Sequence, residues 1–132
     1  MKILALDFGS ARTGVAVSDA TGTIARPVGV VQQAATKDGL AELVELVRAE
    51  GVERVVVGLP LTMRGEHGEQ AAETEQFVES LRTALDVPVE SFDERFTTDL
   101  AERAPDAEAP TDARAAAHLL SSYLTWSTSK SS

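Results

Sequence analysis

Ile3-Leu4-Ala5-Leu6-Asp7-Phe8-Gly9-Ser10-Ala11-Arg12-Thr13-Gly14-Val15-Ala16-Val17-Ser18-Asp19 is the stretch whose reading decides the fold. Ile3 to Leu6 is apolar at every position, the pattern of a strand covered on both faces. Asp7 ends that run, and a carboxylate at the tip of a central strand is costly unless it is solvated, hydrogen-bonded or bound to a cation. Gly9 and Gly14 bracket a turn in which the backbone is free to take positive φ and to approach a phosphate or metal closely. Val15 to Val17 then resumes the strand pattern. An acid, a pliable turn and the guanidinium of Arg12 therefore lie at one end of a central hairpin. The simpler alternative is an Asp7 that only tightens a β-turn through its own backbone.

Working outward, Thr21-Gly22 signals a turn and Ile24 to Val31 reads as a third strand. Pro27 inside it marks an edge strand or a bulge. From Thr36 to Glu50, Leu40, Leu43, Val44 and Val47 recur at helical spacing, and Gly51 closes the helix. Arg54 to Pro60 is a second buried strand, and strand-helix-strand implies a right-handed parallel crossover. A polar loop over Leu61 to Gly68 carries Arg64, Glu66 and His67. A long helix over Glu69 to Leu85 has Ala72, Phe77, Val78 and Leu81 as apolar positions. Val87 to Phe92 is a third parallel strand, with Asp93-Glu94-Arg95 at or just past its end. Thr97 or Thr98 caps a short helix through Arg103, and Ala104 to Pro110 is a linker rich in Pro, Ala and acids. Thr111 caps a last helix ending near Trp126, and Ser127 to Ser132 reads as a disordered tail. The order is β-β-β-α-β-α-β-α-α: one α/β domain over 1–126, a mixed five-stranded sheet made of an antiparallel three-strand meander plus parallel strands, with helices on both faces.

The chain has 132 residues, enough for one core, with 43% hydrophobic and 25% charged residues, the balance of an ordinary globular protein. It has no cysteine, so disulfide frameworks and thiolate metal sites are excluded; this fits a reducing, cytoplasmic setting. No signal peptide and no membrane-spanning run are read. The formal net charge of −9 argues against a general polyanion binder, because neutralising phosphates requires surplus Lys and Arg.

Ligands of open α/β sheets sit beyond the carboxyl ends of the parallel strands. Asp7 ends the first strand, and Asp93 and Glu94 end the last. Asp112 opens the final helix above Ala116, Leu119 and Tyr123, the stripe that faces the sheet. Three carboxylates from distant segments thus converge, and like charges that close call for a cation between them. Oxygen-only ligands select Mg2+ or Mn2+, and carboxylate-held metals suit in-line phosphodiester hydrolysis. Each residue has a plainer reading: Asp112 as a cap favourable with the helix dipole, Asp93-Glu94-Arg95 as an exposed charge cluster, His67 as a solvated histidine, and Tyr123 and Trp126 as helix-packing residues. Arg12, Arg64, Arg95 and Arg114 lie around the cleft as candidate phosphate contacts, Arg114 pointing to the rim. The same four arginines instead pair with surface acids in the plainer reading.

Leu6-Asp7-Phe8-Gly9 with Arg12-Thr13-Gly14-Val15-Ala16, Val57-Gly58-Leu59-Pro60-Leu61 with Gly65 and Gly68, Asp93-Glu94-Arg95-Phe96-Thr97-Thr98, and Asp112 with Ala115-Ala116, Leu119-Leu120 and Tyr123-Leu124 together resemble the YqgF family, also called RuvX. The resemblance runs to about Leu124, with order, spacing and length agreeing. It implies an RNase H-like fold similar to Holliday-junction resolvases and a nuclease acting on the 5′ end of pre-16S ribosomal RNA. It also implies catalytic acids at Asp7, at one or both of Asp93 and Glu94, and at Asp112, with Asp7, Glu94 and Asp112 as metal ligands. The implied partners are structured RNA or branched DNA and a pre-ribosomal particle, with the chain a monomer or weak homodimer. The chain departs from the pattern between Asp99 and Thr111, which is short and mostly acidic where relatives carry a longer Lys/Arg-rich run, and at His118, where an aliphatic residue is typical. Two other readings stand beside this one. Asp-x-Gly-x-x-x-x-Gly also resembles the first phosphate loop of actin and hexokinase, although that architecture needs two such domains. A binding module without chemistry, docking on a ribosomal precursor, fits the acidic surface.

Overall fold

The computed structural model describes residues 1–9, 11–59, 68–93 and 111–131. The opening hairpin is β1 (Ile3–Asp7) and β2 (Arg12–Ser18), antiparallel, with Asp7 paired to Gly14 and Leu4 to Val17. β3 (Ala25–Gln32) extends the meander on the far side of β2. Pro27 sits where the sequence placed it. β3 is an edge strand, and the register slips opposite Val15/Ala16 so that Val28 is left without a partner.

After α1 (Lys37–Glu50) the chain crosses to β4 (Arg54–Leu59), which runs parallel to β1. α2 (Glu69–Ala84) leads to β5 (Val89–Asp93), parallel to β4, and α3 (Thr111–Ser131) closes the fold. The sheet order is β3-β2-β1-β4-β5. The short helix expected from Thr97 or Thr98 to Arg103 lies outside the described residues.

Strand alternation sends side chains to two separate cores. Leu4, Leu6, Val15, Val17, Val55 and Val57 pack beneath α1 and α2 against Leu43, Val47, Phe77, Val78 and Leu81. Ile3, Ala5, Ala16, Val56 and Phe92 pack on the other face beneath α3 against Ala116, Leu119, Leu120 and Tyr123. The helices therefore cover both faces, as expected of parallel strands that are apolar throughout. α1 begins at Thr36, whose hydroxyl accepts from the Gly39 N–H, and ends at Gly51 in the left-handed conformation.

Two readings of the helices need correction. Ala72 is exposed, and the buried stripe of α2 is Ala71, Thr74, Phe77, Val78 and Leu81. The polar Thr74 hid the true phase, because a 3.6-residue period through Phe77 and Leu81 passes through positions 71 and 74. α3 also runs past Trp126 to Ser131, since no Gly or Pro stop follows and Ser and Thr alone do not end a helix.

The far end of α3 is tied down by a polar cluster that the sequence did not reveal. Arg54 donates to the Tyr123 hydroxyl at 3.1 Å, and that hydroxyl donates to the Glu90 carboxylate. Burial, and the bond to the acidic Glu90, push the Tyr123 hydroxyl's pKa up. Phe92 meets Tyr123 edge-on at 5.5 Å and Trp126 at the same distance, so both aromatics pack as helix anchors.

Candidate active site

β1, β4 and β5 are parallel, so their last residues share one edge of the sheet. Asp7 ends β1 and Asp93 ends β5 opposite Leu59 of β4. With β4 between them, the two strand axes are about 10 Å apart. Asp7 is half-buried and is held on both sides. Leu6 before it is fully buried, and Phe8 after it stacks on Phe77 of α2 at 4.3 Å.

By the period of two, Asp7 lies on the face of Ile3 and Ala5, which is the α3 face. Its cross-strand partner Gly14 lies on the same face as Ala16. A Cβ on Gly14 would stand 1.8 Å from the Asp112 carbonyl oxygen and 3.1 Å from the Ala113 nitrogen. The first turn of α3 thus rests directly on the backbone of β2. Cross-strand neighbours have Cβ positions about 5 Å apart, so the Asp112 backbone is within one side chain's reach of Asp7. The backbones of two acids 105 positions apart in sequence are brought near each other where Gly14 lacks a methyl group. The two glycines of the hairpin differ from expectation here. Among the described residues positive φ at glycine occurs at Gly22 and Gly51, not at Gly9 or Gly14. A Cβ on Gly9 would stand 2.5 Å from the Arg12 carbonyl oxygen, and one on Gly14 would meet Asp112, so both positions are glycine for space and not for φ.

Arg12 stands two residues before Gly14, hence on the same face, and its Nε reaches Asp112 Oδ2 at 3.3 Å. The Arg12 side chain is 63% exposed and that of Asp112 35%, so this pair is wet and weak. Arg114, expected on the rim, is half-buried with its Nε shielded from solvent, its stem covered as arginine stems often are.

Asp7, Arg12, Gly14 and Asp112 are therefore gathered at one point. Arg64, Glu94, Arg95 and His67 lie outside the described residues, and of Asp93 the backbone position alone is described. Among the described residues no three acids or histidines form a metal-holding group. Asp7 and Asp112, whose backbones this packing brings near each other, offer hard oxygen donors only, beside a backbone that carries no side chain at Gly14. That donor set fits magnesium or manganese and not a soft metal. The sequence reading missed what locks Asp112 in place; Gly14 facing Ala113 and Ala116 was its trace, small residues on both sides of one contact.

The chain is similar to proteins named "Putative pre-16S rRNA nuclease". One from Chloroflexus aurantiacus is 52% identical over 101 residues, 76% of this chain and 66% of the relative's length, just under two thirds. Another from Syntrophomonas wolfei is 39% identical and spans 94% of both chains. Among solved structures, T. thermophilus RuvC in complex with a Holliday junction substrate superposes with a TM-score of 0.68 at 17% identity, covering 98% of this chain and 96% of that one. At that identity the likeness shows the fold, and RuvC has the RNase H-like fold that the sheet order and the two-faced helix packing build here. Mixed sheet, acid-tipped central strand and family match agree: residues 1–126 fit the RuvX model, described as Holliday junction resolvase, and the chain belongs to the RuvX family.

Proposed function

We propose that this chain is a metal-dependent endonuclease that hydrolyses phosphodiester bonds in the 5′-end maturation of pre-16S ribosomal RNA. The observation that carries the reading is the seating of Asp112 on Gly14, directly opposite Asp7. The glycine lets the first turn of α3 approach β2 closely enough to bring the Asp112 backbone beside Asp7. The names of the relatives from Chloroflexus aurantiacus and Syntrophomonas wolfei support the substrate.

In this reading Asp7 and Asp112 hold Mg2+ or Mn2+ with a third acid from the end of β5. Glu94, the metal ligand the family resemblance implies, is favoured over Asp93 for that role. When bound, the ion supplies charge stabilisation for in-line displacement at phosphorus. The chain's own groups do the rest. Asp7 fixes the site to the most buried strand, Asp112 closes it from α3, and Arg12, with Arg64 and Arg95, neutralises the backbone of the substrate. Net charge −9 leaves few other phosphate contacts, so a pre-ribosomal particle in the cytoplasm positions the RNA, and the chain acts as a monomer or weak homodimer.

A second reading has an observation of its own. The chain aligns over nearly its full length with a RuvC structure that holds a Holliday junction, and the family description is Holliday junction resolvase. Branched DNA is therefore the competing substrate. Incubating a precursor rRNA 5′ fragment and a four-way DNA junction, each with and without magnesium, separates the readings. Magnesium-dependent cleavage of the RNA is expected. Cleavage of the junction alone moves the assignment to DNA, and binding of RNA with no cleavage moves it to a docking module.

A further inference from the structure

The Arg12–Asp112 pair joins a cation to one of the two acids that the site needs for a metal. Arg12, Gly14 and Asp7 share the α3 face at the end of the central hairpin, and Arg12 Nε lies 3.3 Å from Asp112 Oδ2. Arg12 sits on β2 and Asp112 on α3, so this ion pair spans the same seam that Gly14 closes. A guanidinium in that position holds the carboxylate that a divalent cation would otherwise take. The pair is wet on both sides, 63% and 35% exposed, and pairs of that kind contribute about 0–1 kcal/mol. A pair this weak is readily given up to a divalent cation.

We propose that Arg12 is an exchangeable counter-ion: it neutralises Asp112 in the metal-free protein, and when a divalent cation takes the carboxylates it is released toward the phosphate backbone of the substrate. The inference rests on the metal-dependent reading above. It gives Arg12 two partners in turn, Asp112 and then a phosphate group, both anionic acceptors that the guanidinium fork can grip with two parallel bonds. The exchange limits the uncompensated charge of the site at each stage. Without metal, the two acids are offset in part by one guanidinium; with metal, the guanidinium is freed at the moment a polyanion arrives. An arginine that only braced Asp112 would stay paired throughout.

The two roles differ in the sign of a binding measurement that needs no catalysis. The test is Mn2+ titration by calorimetry, without substrate, on the wild-type chain and on Arg12→Gln. Removing a competing positive charge a few ångströms from the site tightens Mn2+ binding, by about three- to tenfold at low salt. The same variant weakens its hold on a precursor rRNA fragment made uncleavable at its 5′ processing site, read by fluorescence anisotropy in Mn2+. The Arg12 Nε–H resonance in a 15N spectrum moves on Mn2+-mimicking Mg2+ addition in the wild type. Thermal unfolding of Arg12→Gln stays close to wild type, since the pair is worth little. Mn2+ affinity that is unchanged or weaker in Arg12→Gln overturns the exchange and leaves Arg12 a brace for Asp112. A wild-type chain that binds no Mn2+ overturns the metal-dependent reading itself, and the exchange with it.

Discussion

Replacing Gly14 by alanine adds one methyl group at the point where α3 rests on β2. That methyl would stand 1.8 Å from the Asp112 carbonyl oxygen and 2.3 Å from its carbon. Restoring an ordinary contact of about 3.5 Å needs a retreat of roughly 1.7 Å. The first turn of α3 has little freedom to retreat, because Ala113 and Ala116 behind Asp112 are fully buried against the sheet. Close-packed interiors pass such strain on instead of absorbing it. Overpacking of this kind costs about 1–3 kcal/mol, set against about 0.4–1 kcal/mol gained from stiffening the unfolded chain. At about 4 °C per kcal/mol for a chain of this size, Tm falls by up to roughly 10 °C. The effect on the site is larger than the effect on the fold. Asp112 moves off both Arg12 and Asp7, and a misplacement near 1 Å costs on the order of 100-fold in rate. Gly29→Ala on β3 is the matched control, since nothing lies within 4 Å of its added methyl. Thermal unfolding by circular dichroism and magnesium-dependent cleavage are read on both variants. If Gly14→Ala melts and cleaves like Gly29→Ala, α3 does not rest on Gly14 and the reasoning fails.

Other outcomes follow from particular contacts. Asp19 accepts from the Thr21 hydroxyl and from the Thr23 and Ile24 amides, which holds its carboxyl well below the ordinary range. A depressed folded-state pKa stabilises above the unfolded value and is lost as pH falls, so the Tm gap between wild type and Asp19→Ala is constant at neutral pH and shrinks below about pH 4; an equal gap at pH 3 and pH 7 refutes it. Tyr123→Phe removes the hydroxyl that Arg54 and Glu90 share and lowers stability by about 1–3 kcal/mol in denaturant unfolding, where an unchanged midpoint would show the cluster to be idle. Binding of Asp7→Asn to precursor rRNA across a salt series has a shallow slope, on the order of −2 to −4 in log affinity against log salt, and a steep slope with tight binding at physiological salt would reveal a basic surface that the composition conceals.

The elements were legible because their signals are local. Leu40, Leu43, Val44 and Val47 carry a helix period, Pro27 marks an edge, and apolar runs at Ile3–Leu6 and Val55–Val57 demand cover on two faces. Phase was lost where one polar residue stood in a buried stripe, as Thr74 does in α2. The end of α3 was lost because a Ser/Thr run is weak punctuation. At the site, the sheet rule put Asp7 and Asp93 on one edge, and helical spacing put Asp112 above a buried stripe. The close seating of Asp112 on Gly14, which sets how near Asp112 comes to Asp7, was not legible. It depends on how closely α3 approaches β2, a distance set by side chains about 100 positions apart that leave no periodicity in the sequence. The pairing of Arg12 with Asp112 follows from that approach and was hidden for the same reason.

The central claim is that Asp7 and Asp112 form one site that cuts nucleic acid. The most direct test compares magnesium-dependent cleavage of a precursor rRNA 5′ fragment by the wild type with cleavage by Asp7→Asn and by Asp112→Asn, each shown to melt as a folded protein. The account predicts that either change alone lowers the rate by at least about 100-fold. It also predicts that the double variant is hardly worse than the single ones, because the two residues act as a unit. Wild-type cleavage by either folded variant would contradict it.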